Sequence, residues 1–414
     1  MPITLPDNWA DNLGDLADFY RDLHQHPELS FQEHRTAEKI QEIIAPLGLE
    51  VTPGIGGTGV VAVLHNGSGP VVWLRADCDA LPVQEQTGLP YASTARATTA
   101  DGEDVPVMHA CGHDMHVSAL VGALWLLNEL KGTWSGTVVA VFQPAEEVGG
   151  GANAMIADGI LDRFPKPDIV IGQHVGPLPA GVIGYKTGTL LAAADGLKMQ
   201  LFGRGGHGSQ PESTIDPVVM ASNVVQRLQT IVSRELSPFE PAVVTVGYLH
   251  VGSKDNIIGD EAELGINVRT FSEDVRSKTL ASITRIAQAE ARASGADREP
   301  VVTSMYSLPA TVVDDAAMRE IASVFREYFV ADRVVELPTP LTGSEDVGIF
   351  GTTADVPTVF WFWGGYEQQR FEDAASAGKP LPSNHSPEFA PVLEPTLRTG
   401  VEALTVAALS RLGS

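Results

Sequence analysis

Between Met108 and His116 the chain reads Met-His-Ala-Cys-Gly-His-Asp-Met-His, which places His109, Cys111, His113 and His116 within one short stretch. Thiolate and imidazole are preferred donors for zinc and similar divalent ions, and the spacing of Cys111 and His113 lets both side chains reach a common point. The chain has 11 histidines in 414 residues, so this clustering exceeds an even scatter. Taken alone, the cluster also fits a structural metal site or the polar start of a helix. A second pair, Glu146 and Glu147, follows Phe142-Gln143-Pro144-Ala145 and precedes three glycines. Two adjacent carboxylates can divide the work: one binds a metal, and the other, left free, takes a proton from water. The alternative for them is a solvated acidic turn. His174, in Gln173-His174-Val175, and His385, in Ser383-Asn384-His385-Ser386, are single histidines, and each read alone is just a hydrogen-bonded residue.

These groups act together only if the fold brings them together. Apolar residues recur at helical spacing over residues 9–47, broken at His26-Pro27-Glu28, which predicts two helices. Strands are expected at 59–65, 71–75, 137–143 and 168–173, with helices at 115–131 and 152–158. Runs such as Val71-Val72-Trp73-Leu74 are apolar without alternation, as in strands covered on both faces. The pattern predicts an α/β domain with a mostly parallel central sheet flanked by helices. In such sheets, ligands and catalytic groups collect beyond the carboxyl ends of the strands, where Glu146 and His174 are expected. From about residue 190 the texture changes to strand 197–202, helix 218–234, strands 242–250 and 263–270, and helix 277–293. That is an inserted α+β, ferredoxin-like pattern. The α/β texture returns with a helix at 316–328, a strand at 356–361 and a closing helix at 394–412. The expected division is 1–189 for the first part of the catalytic domain, 190–307 for the insert and 308–414 for the second part.

Composition narrows the function classes. An apolar fraction of 43% and a charged fraction of 19% suit a globular chain with a large core. The formal charge of −25 and a pI near 4.7 oppose approach to nucleic acid or an anionic membrane surface. The acid excess reads as a solvated surface, and a small anionic substrate needs a local cation. Cys78 and Cys111 are the only cysteines, too few for a disulfide framework. Cys78 is expected to be a reduced core thiol, with a single Cys78–Cys111 disulfide as the alternative. The first residues lack the basic start and apolar core of a signal peptide, and no apolar run reaches the roughly 18 residues that span a bilayer. The expected location is cytoplasmic.

Eight blocks in order carry a resemblance that runs nearly end to end. They are Leu23-His24-Gln25-His26-Pro27-Glu28-Leu29-Ser30, Arg75-Ala76-Asp77-Cys78-Asp79-Ala80-Leu81-Pro82, the His109 to His116 cluster, and Gln143-Pro144-Ala145-Glu146-Glu147. Gly205-Gly206-His207-Gly208-Ser209, Asn267-Val268-Arg269-Thr270-Phe271, Gly343-Ser344-Glu345-Asp346 and Asn384-His385-Ser386 follow. In these blocks the chain resembles the aminoacylase, hippurate hydrolase and indole-acetyl-amino-acid hydrolase group, the amidohydrolase branch of the M20 metallopeptidases. The resemblance implies Cys111, His113, Glu147, His174 and His385 as ligands of two divalent ions, zinc first and manganese, cobalt or nickel as alternatives. It implies Glu146 as general acid/base, His207 as a group steadying the oxyanion in the partner's site of a homodimer, and Arg269 with Asn256 as the substrate-carboxylate anchor. Read from the residues themselves, Asp79 and His109 are candidate supports of the ligands.

Two departures stand beside it. In the wider clan the position of Asp77 is commonly a histidine ligand, and Asn256-Ile257-Ile258-Gly259 stands where relatives read Asn-x-Ile-Pro. Plainer readings apply to several residues: an Asx turn for Asp77 and Asp79, helix capping for His24, His26 and Pro27, and hydrogen bonding beside the ligands for His109 and His116. Glu345 and Asp346 either brace the site or start a helix. The aromatic run from Val359 to Tyr366 is similar to N-acyl-glutamine aminoacylases and reads as a buried strand or an acyl-pocket wall. The expected reaction is hydrolysis of an N-acyl amino acid to a carboxylic acid and a free amino acid. A dipeptidase or exopeptidase of the same clan, and a non-catalytic small-molecule binder, are the competing readings.

Overall fold

The computed structural model describes residues 3–6, 9–10 and 13–413. Residues 11 and 12 of the first expected helical stretch, residues 1, 2, 7, 8, 11 and 12 of the segment read for a signal peptide, and residue 414 of the third expected segment lie outside them. The chain divides into two compact units: Met1–Gly188 with Val312–Thr339 and Asp346–Ser414, and Thr189–Thr311 with Pro340–Glu345.

The first unit is built on an eight-stranded sheet. Its order is Glu50–Ile55, Gly59–Asn66, Gly136–Gln143, Val71–Asp77, Ile169–Pro179, Thr358–Tyr366, Ile183–Tyr185 and Val334–Glu336. The four middle strands, from Gly136–Gln143 to Thr358–Tyr366, are mutually parallel. Every residue of Gly136–Gln143 and of Thr358–Tyr366 is buried, which explains why these segments lack polar alternation. The helices Leu13–Gln25, His113–Glu129 and Leu393–Leu409 pack together, and the last two also pack on the sheet. The apolar His113–Glu129 helix is buried along nearly its whole length, so its start is fixed by packing as well as by its backbone.

Two strands run further than the sequence suggested. The 168–173 strand continues to Pro179, and the 356–361 strand to Tyr366, because the parallel ladder between them extends past Gly176 and Gly364. His174 therefore sits within a strand, paired with Phe362, and not at a strand's end.

The second unit has a four-stranded antiparallel sheet in the order Ala242–Val251, Glu261–Thr270, Ala193–Phe202, Val301–Leu308. Helices Pro217–Thr230 and Glu273–Ala293 share one core with it, through Met199, Val224, Leu228, Leu264 and Ile283. The sequence of elements is βαββαβ and the strand order that of a ferredoxin-like fold. The final strand, Val301–Leu308, had no apolar alternation to announce it, because it is a largely exposed edge. The helix seen as one run to residue 234 changes at Thr230 into a π turn over Ile231–Glu235.

Candidate active site and metal centre

Three strands of the first unit deliver the groups of interest to one region. Val71–Asp77 ends at Asp77, Gly136–Gln143 leads into Ala145-Glu146-Glu147, and Ile169–Pro179 carries His174. Donor atoms of Cys111, His113 and Glu147 all lie within 4.8 Å of one another. His174 Nε2 is 3.4 Å from Cys111 Sγ, and His385 Nε2 is 3.3 Å from Glu147 Oε2. His113 Nε2 stands 3.9 Å from both Glu146 Oε2 and Glu147 Oε1. The five expected ligands and the expected base thus converge.

Local backbone chemistry holds them there. Gly112, between Cys111 and His113, adopts φ +84° at the start of the His113–Glu129 helix, and a Cβ there meets Val175 Cγ1 at 2.5 Å. Only glycine satisfies both conditions without strain. The loop before Glu146 turns on Ala145 at φ 52°, and the loop holding His385 turns on that residue at φ 71°. Asn384 Nδ2 donates to the carbonyls of Cys111 and Val175, both at 3.1 Å, and the His385 amide donates to Ala110 O. Asp79 accepts the amide hydrogens of Glu146 and Glu147 at 3.1 and 3.0 Å. It therefore supports the loop that carries Glu146 and Glu147, beyond the simple turn also considered for it.

Protonation follows from burial and from crowded negative charge. The His174 Nδ1–H donates to Val175 O at 2.7 Å, leaving Nε2 with its lone pair. Burial, with His116 beside it, holds His174 well below the usual imidazole range and so neutral. Burial pushes the Glu147 carboxyl up, with Asp79 and Asp77 adding to it against the pull of His113. His113 moves the other way from its burial: Asp77, Asp79 and Glu147 raise it to about 10. A set of donors that can bear one another only by taking up protons is a set that favours a cation.

The residues fit a divalent ion on a second count. Among the described residues, buried Glu147 Oε1 and His113 Nε2 have no hydrogen-bond partner, while His113 Nδ1 stands 3.3 Å from Asp79 Oδ1. Such atoms are costly to bury unless a ligand completes them. Sulfur, nitrogen and oxygen donors within one span match zinc and its neighbours. A second grouping, Asp77, His113, His116 and His174, also has donor atoms within 4.8 Å of one another.

A family model described as Peptidase family M20/M25/M40 matches residues 73–379, most of the chain. The chain belongs to this family. It is similar to an N-acetyl-L-cysteine deacetylase of Bacillus subtilis, 37% identical over 83% of this chain and 79% of the relative. It is similar also to a hippurate hydrolase of Campylobacter jejuni, 38% identical over 82% and 86% of the two chains. Among solved structures, a dinuclear metal-binding peptidase of the M20 family from Bacillus subtilis is 30% identical, with a TM-score of 0.77 over 97% of this chain and 99% of that one. The chain is a hydrolase of the M20 amidohydrolase kind.

Within this M20 fold, several sequence readings need revision. His109 is buried, and among the described residues neither of its ring nitrogens has a hydrogen-bond partner. The nearby carboxylate of Asp114 is taken by His24 Nδ1 at 2.6 Å and by the Met115 amide. Burial keeps His109 neutral, at about 4. His24 is no helix cap: it lies buried between Asp114 and Glu85. His116 is fully engaged, with Nδ1 on Asp77 Oδ1 at 2.5 Å and Nε2 accepting the Val175 amide at 2.9 Å. Both cysteines are free and buried, which removes the disulfide alternative. The aromatic strand is wholly buried, and Phe362 faces the His174 ring at 5.5 Å.

Sequence reasoning gave no role to Arg75, although a charge closing the apolar run Val71-Val72-Trp73-Leu74 was a legible signal of a paired buried cation. Arg75 is 1% exposed and donates to Gln143, Asp77 and Asp346, each at 2.8 Å. Asp346 also accepts from Gln143 Nε2 and the Ala152 amide, so it braces the strand ends beneath the site.

The other expected residues lie in the second unit. His207 and Asn256 adjoin a small two-stranded sheet in which His207 pairs with Ile257 and the Gly208 amide donates to Asn256 O. His207 Nδ1 accepts the Ser209 amide at 3.1 Å, which leaves Nε2 as the outward N–H donor. Arg269, on the Glu261–Thr270 strand, donates to Asn267 Oδ1 and Ser344 Oγ, at 3.1 and 2.7 Å.

Proposed function

We propose that this chain hydrolyses the amide bond of N-acyl amino acids, giving a carboxylic acid and a free amino acid. The observation that carries the reading is Glu146: a 7% exposed residue beside the Cys111, His113 and Glu147 donors but not one of that group, although its carboxylate also lies within 4.8 Å of those of Asp77 and Glu345. The named activities of the two enzyme relatives support the substrate class.

Cys111, His113, Glu147, His174 and His385 would hold two divalent ions, with zinc the first candidate for these donors. Ions held there supply Lewis acidity, polarising a carbonyl oxygen and making water more acidic. Glu146 accepts the proton of the water whose oxygen attacks the amide carbon. As the C–N bond breaks, Glu146 returns that proton to the leaving nitrogen. His207 donates from Nε2 to the oxyanion in the partner's site, and Arg269 with Asn256 holds the substrate carboxylate, which answers the need for a local cation in an acidic protein.

The chain acts as a homodimer through its ferredoxin-like unit. Support comes from the Ala242–Val251 strand, an edge of its sheet whose free backbone groups invite pairing and which exposes Val243 and Tyr248 on one face and Leu249 on the other. Two free cysteines, one of them a ligand, suit the reducing cytoplasm. No helix among the described residues is long and apolar enough to cross a membrane.

The test is product mass spectrometry over matched substrates: N-acyl amino acids, their C-terminal carboxamides, and free-amine dipeptides. Cleavage of the N-acyl acids with KM lower by tenfold or so than for the carboxamides is expected, a difference of about 1.4 kcal/mol. Preference for the free-amine dipeptides would turn the assignment to a dipeptidase.

A further inference from the structure

The chemistry above leaves one buried carboxylate beside the site without a task. Glu33 is 1% exposed and occupies the N-cap position of the His34–Ile44 helix, yet its side chain caps none of that helix's amides. Glu33 instead reaches across the chain: its Oε1 accepts the Ala145 amide at 2.8 Å, and its Oε2 accepts the Thr58 hydroxyl.

Ala145 is the residue immediately before Glu146, and its φ of 52° is a conformation that L-residues seldom adopt. The next two amides, of Glu146 and Glu147, go to Asp79. Three successive backbone N–H groups therefore point at two buried carboxylates, a concave arrangement that suits anions. Ser30, in the turn leading to Glu33, donates to Asp79 Oδ2 at 2.6 Å. Between them Phe31, itself at φ 62°, lies so close to Gly150 that a Cβ there meets its ring at 3.3 Å. The turn from Leu29 to Glu33 thus touches the catalytic loop before Glu146 and after Glu147.

Keeping Glu33 beside Asp79 is unfavourable in itself. Burial and the Asp79 charge push the Glu33 carboxyl up to about 7, against the hydrogen bonds from Thr58 and Ala145. A strained backbone persists where its surroundings over-determine it, and such strain collects at sites where geometry matters.

We propose that Glu33 is a positioning residue for amide hydrolysis: by holding Ala145 in its left-handed conformation, it aims the Glu146 carboxylate at the reacting water. The inference rests on Glu146 being the acid/base. Glu33 contributes to the alignment of a group that acts in the transition state, so its loss lowers kcat and leaves substrate binding in place.

The experiment compares Glu33→Ala, Glu33→Gln and Thr58→Val with the wild type in kcat, KM, metal content and thermal midpoint, with Glu146→Gln run in parallel. Glu33→Gln keeps an acceptor oxygen for the Ala145 amide. Expected for Glu33→Ala is a kcat lower by about 10²-fold, as for a misplaced catalytic group, with wild-type metal content. KM stays within about threefold, and Glu33→Gln recovers kcat to within about tenfold of wild type. Thr58→Val, which releases Oε2 alone, lowers kcat by less than Glu33→Ala and serves in its place if that variant does not fold. The inference is overturned if Glu33→Ala keeps near-normal kcat, if it loses metal, if KM carries the whole effect, or if Glu33→Gln is as impaired as Glu33→Ala. Should Thr58→Val stand in, unchanged kcat overturns it. An inactive Glu146→Gln beside an unaffected Glu33→Ala defeats this inference alone, whereas an active Glu146→Gln defeats the acid/base reading beneath it.

Discussion

His24 shows how a side chain's surroundings set its chemistry. Burial opposes its charge, but Asp114 and Glu85 on either side raise its pKa from 6.5 to about 9. The fold therefore stabilises the imidazolium, a contribution fully present below about pH 6.5 and lost as pH rises through about 9. Its size is on the order of 3 kcal/mol for a shift of this extent. The lowered carboxyls of Asp114 and Glu85 act in acid, outside this window. Thermal unfolding of wild type and of His24→Gln across pH 6–9.5 should show a gap that narrows as pH rises. A gap independent of pH would remove His24 as its source. At this scale the sequence was partly legible: donor types and spacing marked Cys111, His113 and Glu147 on chemical grounds. His174 and His385 needed the resemblance, since a lone histidine in sequence carries no sign of what it faces. The partners of His24 lie at Glu85 and Asp114, distances along the chain that no local pattern encodes.

Elements position the site through a few junctions where backbone conformation leaves little choice. The clearest is Gly112, whose φ of +84° and contact with Val175 start the buried His113–Glu129 helix at the right height. Gly112→Ala should cost about 1–3 kcal/mol from strain and overpacking, and should release metal more readily on dialysis against a chelator. Gly132→Ala is the control, since nothing lies within 4 Å of a Cβ there. Equal effects of the two substitutions on metal retention would contradict this role for Gly112. Buried parallel strands were legible as unbroken apolar runs, and the cores of the long helices by their period. The ends of elements were not, because ladder partners decide them: Ile169–Pro179 and Thr358–Tyr366 extend each other beyond what either segment suggests alone. The Val301–Leu308 edge, mostly exposed, had no burial pattern to read.

At the scale of the whole molecule, the proposed function divides its groups between two units of the chain. Glu146 belongs to the first and His207 to the second. If His207 serves the partner's site in a homodimer, two inactive variants should repair each other. Mixing dissociated Glu146→Ala and His207→Ala chains yields mixed dimers with one intact site, and random pairing restores about a quarter of wild-type turnover. No recovery, with mixed dimers demonstrated by native mass spectrometry, would place His207 in its own subunit's chemistry or in none. The insertion of an α+β unit was visible as a change of texture near residue 190. The Pro340–Glu345 segment that joins it was not, since six residues carry no period of their own.

In the proposed mechanism Glu146 moves the proton while its neighbours hold the metal. Metal content and turnover of an N-acyl amino acid, measured on one preparation of Glu146→Gln, test it most directly. Expected is wild-type metal stoichiometry with turnover lower by about 10²–10⁴-fold, the range of general acid–base catalysis. Turnover near that of the wild type, or loss of the metal with the carboxylate, would contradict it.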